Sequence, residues 1–377
     1  MKGRKILIFS RDPGGTNAVM QLIEPLRVLG NEIQLYGKDA ALSIYRKLNI
    51  ACSDISESIP SGTQEETNAF VRRTSPDLIV TGTSSEDFTE RHLWKAAKAA
   101  GIRSFAVLDQ WTNYRLRLIS EGDDPTADRP ASDLILPSFF FIMDDFARKE
   151  MCALGIDRER LLVSGQPFFD YVRKTGDVVA TAEIDELRCK LTGTEDGLVF
   201  VFASQPLASV HRMNGMAEDH WGYTEETILQ EVVKCLSKLT EEMSVNVTLV
   251  IRMHPKDEPG AYDDILATCP SSINVVVDRE TDSNLLLKSA DLIIGIFSMI
   301  LLEAAILDRR FISVQIGLKR ENPLVFDRMG LVRSILTEQE LEVTLRGILS
   351  GKSNIVPNLN FEFGATERIT NYLEEYR

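Results

Sequence analysis

At 377 residues, 44% hydrophobic and 26% charged, the chain exceeds what one core usually supports and is too apolar to be mainly disordered, so two globular domains are expected. A formal net charge of −14 excludes a duplex-DNA or RNA binder, because neutralising a phosphate backbone takes a dense Lys/Arg surface. A small anionic ligand, held by a few backbone amides and one or two arginines, stays open.

The basic start MKGRK runs straight into a strand-like stretch too short for a signal peptide, and no apolar run reaches the roughly 18 residues of a membrane span. Cys52, Cys152, Cys189, Cys235 and Cys269 are scattered and form no C-x-x-C, which reads as unpaired thiols in a reducing compartment. The chain is therefore expected in the cytoplasm.

Short apolar runs alternate with longer amphipathic stretches, the pattern of βαβ units on a parallel sheet. The first half predicts strands at KILIFS (5–10), EIQLYG (32–37), DLIVTG (77–82), SFAVLD (104–109), DLILPS (133–138) and LLVSG (161–165). Among the intervening helices is TERHLWKAAKAAG (89–101), with Gly101 as its stop. The second half predicts strands at LVFVFA (198–203), VTLVIRM (247–253), INVVVD (273–278), DLIIGI (291–296) and FISVQ (311–315). The expected class is α/β, with two Rossmann-like doubly wound parallel-sheet domains facing a cleft. The expected boundaries are 1–170 for the first domain, 171–196 for a junction, 197–364 for the second domain and 365–377 for a closing helix.

Ligands of open α/β sheets bind beyond the carboxyl ends of the strands, so the loops after strands are the place for chemistry. After the first strand comes Ser10-Arg11-Asp12-Pro13-Gly14-Gly15-Thr16-Asn17. Gly14 and Gly15 let the backbone approach a ligand closely, the helix that follows offers free amides to an anion, and Asp12 is a candidate general base or hydroxyl acceptor. The plainer alternative is that the glycines only turn the chain and Thr16 or Asn17 caps the helix. No G-x-G-x-x-G fingerprint or P-loop is present.

Arg252-Met253-His254-Pro255-Lys256 ends a strongly apolar strand. Arg252, His254 and Lys256 there suit a phosphate or a departing oxyanion, the alternative being a structural histidine at a strand end. Farther on, Gly295-Ile296-Phe297-Ser298 leads into an apolar helix that carries Glu303. Ser298 would present its hydroxyl and the first amides to a phosphate. Glu303 needs a partner that a ribose diol could supply, unless Ser298 is an ordinary cap and Glu303 pairs with Arg309 or Arg310. Asp109 in Val107-Leu108-Asp109-Gln110-Trp111-Thr112-Asn113-Tyr114 is a second candidate base followed by two aromatics, and Ser204-Gln205-Pro206 is a further candidate lining. Ser164–Asp170 reads chiefly as a hinge. No D-x-D, H-E-x-x-H or G-x-S-x-G occurs, so no metal site is expected and a metal-free mechanism is favoured.

The layout resembles the GT-B superfamily of glycosyltransferases over nearly the whole chain. Leu161–Asp170 is similar to the V-x-G-x-P-x-x-D passage that closes many GT-B first domains. His254-Pro255, with Ser298 after Ala290-Asp291-Leu292-Ile293-Ile294, resembles the His-Pro and Ser motifs of CDP-glycerol glycerophosphotransferases, bacterial sialyltransferases and capsule Kdo transferases. The resemblance implies that His254 and Ser298 hold donor phosphate and Glu303 the ribose. Phe297 stands where a second serine is usual, and the family's base motif has no counterpart, which leaves Asp12 and Asp109 as competing bases.

Ser298 through Glu303-Ala304 also resembles the nucleotide loop of the non-hydrolysing UDP-N-acetylglucosamine 2-epimerases. Their first acid falls here on Gly82-Thr83-Ser84, and Asp109 stands where they place Glu. The expected function is metal-independent transfer of a sugar or polyol-phosphate group from a nucleotide-activated donor, of UDP or CMP/CDP type, to a hydroxyl acceptor in glycan synthesis. Besides that small-molecule donor and acceptor, no cofactor or nucleic-acid partner is expected. The epimerase ranks second, and a binding protein without turnover third.

Overall fold

The computed structural model describes every residue except 1–2, 125–130, 195–196, 214, 353–358, 360 and 377. Residues 195–196 of the expected junction and 377 of the expected closing helix thus lie outside the described residues. The chain divides into two compact units, Met1–Tyr171 with Glu362–Arg377, and Val172–Phe361. Each is built on a parallel sheet.

The first unit contains β1 (Lys5–Ser10), β2 (Glu32–Gly37), β3 (Ser53–Asp54), β4 (Leu78–Thr81), β5 (Arg103–Val107), β6 (Phe139–Ile142) and β7 (Leu161–Val163). Their order across the sheet is β3-β2-β1-β4-β5-β6-β7. A parallel sheet covered on both faces needs near-continuous apolar runs, and β1 and β4 supply them: Ile6 to Phe9 and Leu78 to Val80 are all buried. Ile6 and Ile8 pack to one face with the helix Pro13–Val28, while Leu7 and Phe9 pack to the other with Phe70 and Leu93.

The sixth strand differs from the sequence reading. DLILPS (133–138) is not a strand, which instead covers Phe139–Ile142. Pro137 lacks the N–H a ladder needs, whereas Phe139, Phe140 and Phe141 pair with Phe105, Ala106 and Val107. Leu134 and Ile135 are buried all the same, as part of a loop.

The helix Ala365–Glu375 packs in the first unit, against the sheet face formed by Ile6, Ile8 and Phe105, through Ile369 and Leu373. Both are fully buried, each contributing roughly 1.5–3 kcal/mol. Asp170 fastens its start, its carboxylate accepting from Gly364 N (2.7 Å) and Thr366 N (2.8 Å). Arg4 fastens its end through Glu374 (2.9 Å). The passage read chiefly as a hinge thus supplies, within its own unit, the anchor of the last helix.

The second unit contains β8 (Leu198–Ala203), β9 (Val247–Arg252), β10 (Asn274–Asp278), β11 (Leu292–Gly295) and β12 (Phe311–Ser313), in the order β10-β9-β8-β11-β12. Its core joins Phe200 and Phe202 of β8, Ile251 of β9 and Ile294 of β11 to Leu229, Val232 and Leu236 of the helix Glu225–Met243. No helix among the described residues is long and apolar enough to cross a membrane. The five cysteines carry free thiols.

Candidate functional site

In each sheet the chain works outward in one direction and then returns to the far side of its first strand. In the first unit the reversal lies between β1 and β4, and in the second between β8 and β11. Loops leaving those strands diverge there, the position where open α/β sheets bind ligands. The residues at these two edges are Arg11–Gly15 with Gly82–Ser84, and Ser204–Pro206 with Ile296–Ser298.

At the first edge the helix starts earlier than expected. Asp12 is its N-cap and Pro13 its first residue, so the glycines lie inside the first turn rather than making one, and neither Thr16 nor Asn17 is the cap. Their smallness serves close approach. Gly15 lies against Gly82, where an added Cβ would be 3.2 Å from the Gly82 Cα. A Cβ on Gly14 would lie 2.0 Å from Asp109 Oδ2. Gly14→Ala is therefore expected to displace that carboxylate and lower stability by about 1–3 kcal/mol, seen as a lower thermal midpoint. An unchanged midpoint would show that Asp109 can yield without cost.

Asp12 does not spend its carboxylate on capping, since its side chain makes no cap bond. It pairs with Arg11 (3.0 Å) and remains 31% exposed. Partial burial pushes its pKa up, opposed by the charges of Arg11 and Arg117. Asp109 is placed differently. It is 3% exposed, and its Oδ1 accepts from Arg117 (2.8 Å) and Thr83 Oγ1 (3.2 Å). Gln166 binds its backbone carbonyl (3.2 Å).

Three residues at this edge escaped the sequence reading. Arg117 donates to the carbonyl of Thr83 as well as to Asp109, tying the loop after β4 to the loop after β5. Ser84, buried, donates to Glu90 Oε1 (2.7 Å). Glu90 is 1% exposed, and burial pushes its carboxyl up to about 7. The Glu90 signal was present: with Leu93, Trp94 and Ala97 it lies at the i, i+3, i+4, i+7 positions of the helix Thr89–Ala99, which is the buried face.

At the second edge His254 is fixed from both sides. Its backbone N–H donates to Asp257 Oδ2 (2.8 Å), and the Lys256 amide donates to its Nδ1 (3.1 Å). An Nδ1 that accepts places the proton of the neutral ring on Nε2, and burial, the largest influence, lowers the pKa and favours that neutral form. The ring is half-buried.

The loops after β8, β9 and β11 are joined by side chains. Asp257 also accepts from Tyr262 (3.2 Å), Tyr262 is hydrogen-bonded to Ser204, and the neighbouring Gln205 Oε1 accepts from Phe297 N (3.2 Å). The chain of contacts links the loops that carry His254 and Ser298. Ser298 caps the helix Met299–Ile306, its Oγ accepting from Ile300 N (3.4 Å), which is the plainer role allowed for it.

Arg252 is ion-paired with Asp278 (2.5 Å), so part of its charge is already met. Glu303, half-buried, accepts from Ser283 Oγ at 3.4 Å, and burial pushes its carboxyl up to about 7 while Arg252 opposes the shift. Arg309, an alternative partner, donates instead to the Ala290 carbonyl. Lys256 is exposed. Among the described residues no group of three or more His, Cys, Asp or Glu is arranged to hold a metal ion.

No protein-family model matches the sequence, and no curated protein sequence matches it. Solved structures do match the fold. UDP-GlcNAc 2-epimerase from Methanocaldococcus jannaschii superposes with a TM-score of 0.66 at 15% identity, covering 98% of this chain and 99% of its own. UDP-GlcNAc 2-epimerase from Neisseria meningitidis, solved bound to UDP-GlcNAc, gives 0.67 at 11% identity over 98% and 100%. MurG from Acinetobacter baumannii gives 0.56 at 11% identity over 99% of each chain. At such identities the likeness carries the fold, which is GT-B, as the sequence resemblance implied.

Proposed function

We propose that this chain acts on a nucleotide-activated sugar, and that it transfers a sugar or polyol-phosphate group to a hydroxyl acceptor without a metal. The second unit holds the donor. His254 points a neutral Nε2–H at phosphate, the helix that Ser298 opens adds backbone amides, and Arg252 and Lys256 add positive charge. Glu303 receives the ribose hydroxyls. In the first unit Asp12 takes the proton of the attacking hydroxyl, since its carboxylate is partly exposed and does no capping work. Asp109 is kept from that role by Arg117, and the space beside Gly14 and Gly15, expected to admit a ligand, is taken by Asp109 and Gly82.

The observations carrying this reading are the His254 Nδ1 that accepts from the Lys256 amide after β9 and the weakly satisfied Glu303 on the helix after β11. Calorimetry with UDP, CDP and CMP tests it. At least one should bind, and His254→Ala and Glu303→Ala should each weaken it tenfold or more, about 1.4 kcal/mol. Unchanged affinity in both variants would remove the donor site from this edge.

A second reading, nucleotide-sugar 2-epimerase, is favoured by the better superposition on the two epimerases than on MurG. Against it, Gly82-Thr83-Ser84 carries no acid and Asp109 is bound to Arg117. UDP-GlcNAc incubated alone separates the two. An epimerase converts it, a transferase needs an added acceptor, and a binding protein yields no product with either.

A further inference from the structure

His254 begins a four-residue turn. Its carbonyl accepts from Asp257 N (2.9 Å), which makes Pro255 and Lys256 the central pair, and proline suits the first of those places. Within this turn the Lys256 amide reaches back to His254 Nδ1 (3.1 Å). A ring nitrogen that accepts a hydrogen bond carries no proton, so this one bond fixes the tautomer. Whatever holds the turn closed therefore chooses which nitrogen is protonated.

Asp257 is what closes it. While its backbone N–H binds the His254 carbonyl, its Oδ2 accepts from His254 N (2.8 Å), so the two ends of the turn are tied to each other twice. The carboxylate is 7% exposed and is held in its own right, since Oδ2 also accepts from the Tyr262 hydroxyl (3.2 Å). A phenol has one proton, and Tyr262 gives it to Asp257, so Ser204 is the donor in the Ser204–Tyr262 bond. The Ser204 amide is pinned in turn to the carbonyl of Arg252, the last residue of β9 (2.9 Å). From the other side Arg279, just beyond β10, donates to the Asp257 carbonyl (2.5 Å). Residues after β8 and β10 thus hold Asp257 in the loop after β9.

A role confined to stiffening a surface turn explains less. A turn with proline in its second place does not require a buried carboxylate, and burying one is costly unless hydrogen bonds repay it. Here that cost falls at the turn whose amide faces a histidine ring. Burial is the largest influence on the ring's own titration and favours the neutral form, while Asp257 and Lys256 act as charges in opposite directions. Hydrogen-bond geometry is left to select between the two neutral tautomers.

We propose that Asp257 is a positioning residue of the donor site: by clamping the turn 254–257 it presents the Lys256 amide to Nδ1 and keeps the His254 proton on Nε2, as the donor for a phosphate oxygen. Asp257 touches no ligand in this role. With the turn open, the neutral ring can carry its proton on either nitrogen, and the form protonated at Nδ1 turns a lone pair at Nε2 toward the phosphate. The idea rests on His254 as the phosphate ligand proposed above and names what keeps that ligand in one state.

Nitrogen-15 NMR of the imidazole rings in the full-length chain tests it, with His254 assigned by the signal lost in His254→Ala. At about pH 8, above the ordinary histidine range, the wild type should show His254 wholly as the Nε2–H tautomer. Asp257→Ala should turn it into a mixture of both tautomers and weaken UDP binding about tenfold in calorimetry. Asp257→Asn retains an acceptor for His254 N and should restore the single tautomer and most of the affinity. If Asp257→Ala does not fold, Tyr262→Phe, which takes one hydrogen bond from the carboxylate and leaves the rest, should give the mixture in its place. A wild type already mixed, or a His254 that stays wholly Nε2–H in each folded variant of that pair, overturns the proposal. Mixed tautomers with unchanged UDP affinity would overturn the part played in phosphate binding. Failure of the wild type to bind UDP, CDP or CMP would count against the donor reading alone, because the tautomer is read without ligand.

Discussion

Replacing Arg117 by Met is expected to destabilise the first unit by 3–5 kcal/mol, the usual cost of stranding one member of a buried ion pair. Arg117 and Asp109 are 5% and 3% exposed, and their contact is 2.8 Å. Neither charge can be met by solvent where it stands. Without the guanidinium, Asp109 retains only the hydroxyl of Thr83 and its distal oxygen faces the Cα of Gly14. For a unit of this size the loss corresponds to a thermal midpoint lower by roughly 6–20 °C. Adding Asp109→Asn to Arg117→Met removes the stranded charge and should restore much of the loss. A double variant no more stable than the single one would show that Arg117 acts through packing and its bonds to Thr83 instead.

The second large effect is a pH dependence. Glu90 has a carboxyl pushed up to about 7 by burial, against 4.5 for the ordinary group. Between those values the folded chain binds more protons than the unfolded one, so the stability linked to this group is full below about 4.5 and is lost as pH rises through 7. At 1.36 kcal/mol per unit, the loss between pH 4.5 and 8 is on the order of 3 kcal/mol. Glu90→Gln has no such proton to lose. Denaturant unfolding of both chains at pH 5 and pH 8 should show a fall in the wild type that exceeds the variant's by that amount. Equal falls would mean that water or a cation reaches Glu90 and relieves its burial.

Much of the fold is legible in residue order alone. Runs such as KILIFS and LVFVFA are strands with the boundaries expected, because a strand buried on both faces must be apolar throughout and few other elements are so short and so uniform. Loops after strands follow from the same reading, and so Asp12, His254 and Ser298 could be singled out. The reading failed at 133–138, where an apolar run is a buried loop. Burial and strand formation are separate matters, and Pro137 marked the difference.

What residue order leaves open is partnership. Asp109 could be named as an acid but not as the partner of Arg117, eight residues on across a loop. Asp170 holds the start of a helix nearly two hundred residues away, and Arg4 holds its end. The edges where ligand loops diverge depend on β4 lying beside β1 and β11 beside β8, which no local pattern encodes. Periodicity reports which face of an element is buried; what lies against that face is decided by contacts between segments far apart in the chain.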